Sequence, residues 1–238
     1  MTAASGDTPL EMFAQFTDPI AMSGIWRKQL PALLGSASAF TAFTACNVHY
    51  ARCRTYLKPR SWHKSYLCVS YEFDVAADKH AAYKPMLYGR VYLDGRSRKE
   101  FDALTNQIGA QVVPELDMLV WAFPHDPHLP QLPELLDARN IASCFPYDNL
   151  PFSADAIHAI KIDVMRYRPE QRCILRYDIL FGAQREHFIL YAKAYADDNG
   201  EQVFSRMQHC HMTANALGVR VARPLGYHSA LRTVWQEE

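Results

Sequence analysis

Three clusters in this chain carry side chains capable of chemistry at close spacing, and the spacing limits what each can do. His125-Asp126-Pro127-His128 and His209-Cys210-His211 bring imidazole, carboxylate and thiol together. A metal site needs three or four ligands converging on one point, whereas neighbours on a strand or helix diverge. The first cluster therefore reads as a proline-rich turn and the second as ordinary helix residues, and no metal ligand is assigned. No Gly-x-Ser-x-Gly or similar nucleophile turn is present, so no catalytic residue is assigned, although composition leaves a Ser-His-Asp or Cys-His triad open. The third cluster is Tyr191-Ala192-Lys193-Ala194-Tyr195. On a strand Ala192 and Ala194 point to one face, and Lys193 shares the other with Tyr191 and Tyr195. By itself, such a lysine is a solvated strand residue.

The strand holding Lys193 has an echo. Leu87-Tyr88-Gly89-Arg90-Val91-Tyr92-Leu93-Asp94 returns as Leu190-Tyr191-Ala192-Lys193-Ala194-Tyr195-Ala196-Asp197. Upstream, Lys58-Pro59 and the run Tyr66 to Phe73 are echoed by Arg168-Pro169 and Cys173 to Ile179. Downstream, Met118-Leu119-Val120-Trp121 is echoed by Arg232-Thr233-Val234-Trp235. Three echoes in one order point to a duplicated unit, with insertions confined to turns. Alternation predicts strands over Phe40 to Tyr56, Ser65 to Phe73 and Met86 to Leu93, a helix over Lys99 to Ile108, and a strand over Leu116 to Phe123. Asp18-Pro19 starts a helix over Ile20 to Leu34 that Pro31 is expected to break. Pro124 to Pro133 predicts an extended turn before a short helix at Glu134 to Leu136. In the second half, strands are expected at His158 to Tyr167, Arg172 to Leu180 and His187 to Tyr195. A helix at Glu201 to Leu217 and strands near Ala222 to Tyr227 and Leu231 to Gln236 follow. The expected fold class is α+β, with two tandem antiparallel-sheet units. The boundaries are an N-terminal helical segment 1–38, a first unit 39–139, a linker 140–156 and a second unit 157–238.

Arg166-Tyr167-Arg168-Pro169, Arg172 to Tyr177, Leu190 to Tyr195, Gly218 to Tyr227 and Thr233 to Glu237 together resemble the N-terminal lobe of the aminoglycoside phosphotransferase family, whose fold is protein-kinase-like. The earlier half, with Leu116-Asp117-Met118-Leu119-Val120-Trp121-Ala122-Phe123-Pro124-His125-Asp126-Pro127, is similar to a leader domain of bacterial members of that family. The resemblance implies that Lys193, on a third strand between small residues, neutralises nucleotide phosphates. It also implies ATP as ligand, with Arg168 and Arg172 as further phosphate contacts. Arg90 takes the lysine's place in the first unit, and a guanidinium does not replace an ammonium one for one. That copy is expected to be structural or regulatory.

The chain departs from the family pattern in three places. The turn Arg168-Pro169-Glu170-Gln171 contains no glycine to let backbone N–H groups approach phosphate. Met207 to Cys210, where a lysine-positioning glutamate is expected, holds no acid, and Glu201 at the helix start is the one candidate. After Lys193 no His-x-Asp loop and no metal-binding aspartate follow; Asp197 and Asp198 lie in a turn with Asn199-Gly200. The expectation is therefore the N-terminal portion of an ATP-dependent small-molecule phosphotransferase, inactive alone because the large lobe is absent, with magnesium held only when that lobe is supplied. The alternative is a non-enzymatic degenerate lobe that binds a protein partner or a separately encoded catalytic lobe. On the first reading, apolar surface near Leu231 to Gln236 that the large lobe would cover is expected to drive self-association. The substrate is not legible.

Composition narrows the partners. Lys plus Arg number 25 and Asp plus Glu 25 in 238 residues, with no basic concentration able to track nucleic acid. No apolar run reaches membrane-spanning length. The first residues lack a secretory pattern, and the six cysteines contain no Cys-x-x-Cys pair, which together imply buried thiols in a reducing cytoplasm.

Overall fold

The computed structural model describes residues 13–34, 43–54, 65–75, 84–105 and 107–238. The chain forms two compact units, Met1–His125 and Asp126–Glu238. Each contains one five-stranded antiparallel sheet, so the α+β class with two tandem sheet units is the observed architecture. The linker expected at 140–156 lies inside the second unit rather than between the two.

In the first unit, helix α1 (Pro19–Leu34) begins where Asp18 Oδ1 accepts the N–H groups of Ile20 and Ala21 at 2.8 and 3.3 Å. That side chain satisfies helix-start donors that would otherwise lack partners, and Pro19 has no N–H to satisfy. The helix continues through Pro31 to Leu34 instead of breaking there. Pro31 sits in the last turn, where only one interior hydrogen bond is lost, and packing upstream holds the axis. Met22, Trp26 and Leu30, spaced one turn apart, are fully buried. Trp26 meets Tyr71 and Phe73 edge-on, with ring centroids 5.4 and 6.4 Å apart. The sheet comprises β1 (Phe43–Arg54), β2 (Tyr66–Val75), β3 (Met86–Val91), β4 (Ala110–Val113) and β5 (Met118–Ala122), in the order β1-β2-β3-β5-β4. Between β3 and β4 the helix α2 spans only Ser97–Asp102, shorter than the sequence pattern suggests.

The second unit opens with a covering segment that holds α3 (Leu132–Leu135) and three short 3-10 turns. Its Leu129, Leu132, Leu135, Ile141 and Phe145 are buried. Phe145 contacts Tyr177 and Trp235, at 5.6 and 5.4 Å between ring centroids. The sheet follows as β6 (Ile157–Arg168), β7 (Arg172–Phe181), β8 (Glu186–Tyr195), β9 (Pro224–His228) and β10 (Thr233–Glu237), in the order β6-β7-β8-β10-β9. Helix α4 (Gly200–Ala216) lies between β8 and β9.

The two sheets agree below the level of strand order. In each, a 12-residue strand pairs with a 10-residue strand and absorbs the difference in two bulges. Asp117 (φ 44°) and Arg232 (φ 45°) both sit in the left-handed region just before the last-formed strand. Their carbonyls accept the N–H of Tyr92 and of Tyr195, at 2.9 and 3.0 Å. The Tyr71 hydroxyl donates to the Phe16 carbonyl at 2.8 Å, and that of Tyr177 donates to the Leu135 carbonyl at 2.7 Å. In both units, then, a buried tyrosine on the second strand ties the sheet to the segment that covers it.

The tryptophan echo does not survive this comparison. Trp121 pairs with Tyr88, but Trp235 pairs with Ala192, one residue out of step with the partner Gln236 of Tyr191. A one-residue slip turns a side chain to the opposite face. Leu231, Val234 and Trp235 are also buried, so the apolar surface expected there is absent.

Candidate anion site on the second sheet

Residues directly opposite one another in a sheet share a face, so the pairing register places side chains without further assumption. One row crosses the second sheet as Arg166, Ile174, Lys193 and Val234. The adjacent row is Arg168, Arg172 and Tyr195. Lys193, Arg168 and Arg172 are thus brought together at the β6–β7 end of a single face, with Arg166 beside them. The opposite face carries Cys173, Leu175, Tyr177, Leu190, Ala192 and Trp235, all buried in the core.

Charge divides this face. Away from the hairpin every cation has a carboxylate. Arg176 lies 3.3 Å from Asp163 and 3.8 Å from Asp178, and Lys161 lies 3.1 Å from Asp163; the His187 imidazole is within hydrogen-bond distance of Asp178, at 2.7 Å. Near the hairpin, among the described residues, no carboxylate lies within ion-pair distance of Arg166, Arg168, Arg172 or Lys193. The Lys193 ammonium instead stands 5.1 Å from the Tyr195 ring centroid. Burial, and then the neighbouring Arg172 cation, lower the Lys193 pKa below its ordinary 10.5. The Nε of Arg172 and the hydroxyl of Tyr195 are buried without a hydrogen-bond partner, and burial pushes the Tyr195 phenol up to about 12. Orphaned buried donors are uncommon in folded proteins, and here they sit beside uncompensated positive charge.

The hairpin that carries Arg168 and Arg172 is held from below. Asp126, 3% exposed, accepts the Tyr167 hydroxyl at 2.8 Å and the Glu170 N–H at 2.9 Å on Oδ2, and the His128 N–H at 2.8 Å on Oδ1. Burial raises the pKa of Asp126, and its three hydrogen bonds oppose that rise. Glu170 sits at φ 61°, in a left-handed backbone region that few non-glycine residues adopt. Gln171 N–H donates to the Arg168 carbonyl, and Ala196 N–H to the Gln171 carbonyl. This glycine-free turn is fixed in place rather than free to fold over a ligand. Glu201 lies in the first turn of α4 and makes no ion pair with Lys193.

In the first unit Arg90 occupies the place of Lys193, across from Cys68 and Leu119. Tyr66 stands where Arg172 stands, and Tyr92 where Tyr195 stands. Arg90 donates through Nε to the Tyr88 hydroxyl at 2.8 Å and lies over the rings of Tyr66 and Trp121, at 5.2 and 5.3 Å. Tyr88 and Trp121 are stacked 4.9 Å apart. Aromatic rings occupy this cation, whereas the second unit leaves its counterpart with an additional cation and no acid.

Sequence reasoning missed Arg166 and the anchoring role of Asp126. The i, i+2 spacing of Arg166 and Arg168 could have revealed the former. Nothing local signals the latter, because its partners are distant in sequence. Among the described residues no three His, Cys, Asp or Glu side chains converge as metal ligands, and no helix is long and apolar enough to cross a membrane. No family model, curated protein or solved structure matches the chain.

Proposed function

We propose that the second unit binds the phosphates of a nucleotide such as ATP on Lys193, Arg172 and Arg168, in the manner of a kinase-like nucleotide lobe. The observation that carries this reading is the group of neighbouring cations without carboxylate partners, beside the orphaned Nε of Arg172. A phosphate group supplies what these donors lack: several acceptor oxygens and negative charge. Magnesium does not fit the same residues, since no acidic ligands converge there among the described residues. The activity proposed for this face is therefore binding, since phosphoryl transfer also needs acids that position an acceptor and a metal, and among the described residues none converges here.

Calorimetric titration with ATP and with pyrophosphate, with and without magnesium, tests the proposal. Lys193→Ala or Arg172→Ala is expected to weaken binding about tenfold or more, the loss of one charge-assisted contact. Arg90→Ala is expected to leave it unchanged. Release of γ-phosphate that Lys193→Ala abolishes would overturn the division between binding and chemistry. A second reading, a module that binds a protein partner, is favoured by Met212, Leu217, Val219 and Val221, which are 64, 74, 53 and 42% exposed around the end of α4. Absence of polyphosphate binding by the folded protein would favour that reading.

A further inference from the structure

We propose that Asp126 is the positioning residue of this anion site, acting through the β6–β7 hairpin; the inference rests on the phosphate-binding reading above. Arginine binds phosphate well only when its fork is held in place, since an immobilised side chain gives up less freedom on binding. Arg168 and Arg172 flank a three-residue turn whose central residue, Glu170, adopts a left-handed backbone. A glycine would take that conformation without cost; for a glutamate it is less favourable, and a hydrogen bond to its N–H offsets the cost. The Glu170 N–H points to Asp126 Oδ2, and the same oxygen accepts the hydroxyl of Tyr167, the residue next to Arg168. One buried carboxylate therefore grips the hairpin on both sides of Pro169. Its own backbone is fixed in turn through His128, whose N–H binds Oδ1. Asp126 faces the hairpin from the covering segment, and all three of its partners donate. An amide could accept from some of these groups but would direct its own N–H toward others. A ligand on the cation face has no route to Asp126, so any effect on binding passes through the arginines.

Inorganic tripolyphosphate is the probe, with affinity measured calorimetrically and amide hydrogen exchange at Glu170 measured in parallel. Asp126→Asn is expected to speed exchange at Glu170 and to weaken binding about tenfold, the range of coupling between residues in one network. Tyr167→Phe, which keeps the backbone contact, is expected to act in the same direction but less, and guards against Asp126→Asn failing to fold. The decisive comparison is the double variant. In an Arg168→Ala, Arg172→Ala background, Asp126→Asn should cost almost nothing further in affinity. An equal loss in both backgrounds would show a general structural effect and overturn the positioning role. Unchanged affinity in both Asp126→Asn and Tyr167→Phe, with wild-type binding intact, would overturn it while leaving the site itself standing. Failure of the wild-type protein to bind tripolyphosphate would remove the phosphate reading and the role of Asp126 together.

Discussion

The two sheet-to-cover tethers allow a paired experiment. Tyr71→Phe and Tyr177→Phe each remove one hydroxyl and keep the ring. The edge-on contact of Tyr71 with Trp26 and the contacts of Tyr177 with Phe145 and Trp235 would therefore remain. What is lost is a buried hydrogen bond of 2.8 Å to Phe16 in one case and 2.7 Å to Leu135 in the other. Both tyrosines are fully buried, so water does not replace the donor and a carbonyl is left unsatisfied. The cost is the net bond plus part of that carbonyl's desolvation, about 1–3 kcal/mol for each substitution. In a unit of this size each kcal/mol lowers the midpoint by roughly 4 °C. Thermal and urea unfolding, with hydrogen exchange assigning the loss to one unit, provide the assay. The two costs should agree within about 1 kcal/mol, since the geometry is shared. The tethers also carry a pH signature. Burial holds both phenols well above their ordinary 10.0. For an acid with a raised folded pKa, the stabilisation is complete below the unfolded value and is lost as pH rises through the folded one. Wild-type stability should therefore decline above pH 10, and the double Phe variant should decline less. A neutral effect at either position, or an unchanged alkaline slope, would refute the argument that these hydroxyls fasten sheet to cover.

Three further outcomes follow from the geometry. Polyphosphate affinity should fall as pH rises, with a midpoint in the free protein below 10.5, because the lowered Lys193 pKa makes the ammonium lose its proton early; Lys193→Arg should flatten that profile. Asp117→Ala should destabilise the first unit by about 2–4 kcal/mol in chemical denaturation, since its carboxylate accepts the N–H groups of Asp94, Gly95 and Ser97 and all three would lose their partner. Gly200→Ala should destabilise despite the better helix propensity of alanine, because the new Cβ would lie 2.6 Å from Cε2 of Tyr227; a rise in melting temperature would show that this ring yields freely.

Strands were legible wherever one face is buried and the other is not. Over β7 Cys173, Leu175, Tyr177 and Ile179 alternate with a set that includes Arg172, Arg176 and Asp178, which marks both the element and its inward face. The expected limits, Arg172 to Leu180, stop one residue short of the observed Phe181. In the covering segment of the second unit the short helix expected at Glu134 to Leu136 is present at Leu132–Leu135, but the rest was illegible for the opposite reason. Its buried residues, from Leu129 to Phe145, follow neither helical nor strand spacing, because short turns carry them across the sheet. The linker expected at 140–156 therefore falls where Ile141, Phe145 and Phe152 are buried in the core. The slip of Trp235 was hidden because composition records a tryptophan near the end of each unit and says nothing about register. At the candidate site, the echo between Arg90 and Lys193 placed both residues on corresponding strands. The pairing of Arg168 with Arg172 follows from the turn expected between two strands at Arg168 to Gln171, whereas their sharing a face with Lys193 depends on the β7–β8 register, which the sequence pattern does not fix.

The register of β10 decides how a ligand on this face can be observed. Trp235 points into the core with Phe145 and Tyr177, on the side of the sheet away from Lys193. Its emission reports on the packing of the covering segment and would stay dark to an anion settling among the arginines. Gln236, by contrast, stands directly across from Tyr191 on the cation side. An indole installed there, as Gln236→Trp, would put a fluorophore on the ligand's side of the sheet, in the Arg176 row next to that of Lys193, where the emission of Trp235 does not report.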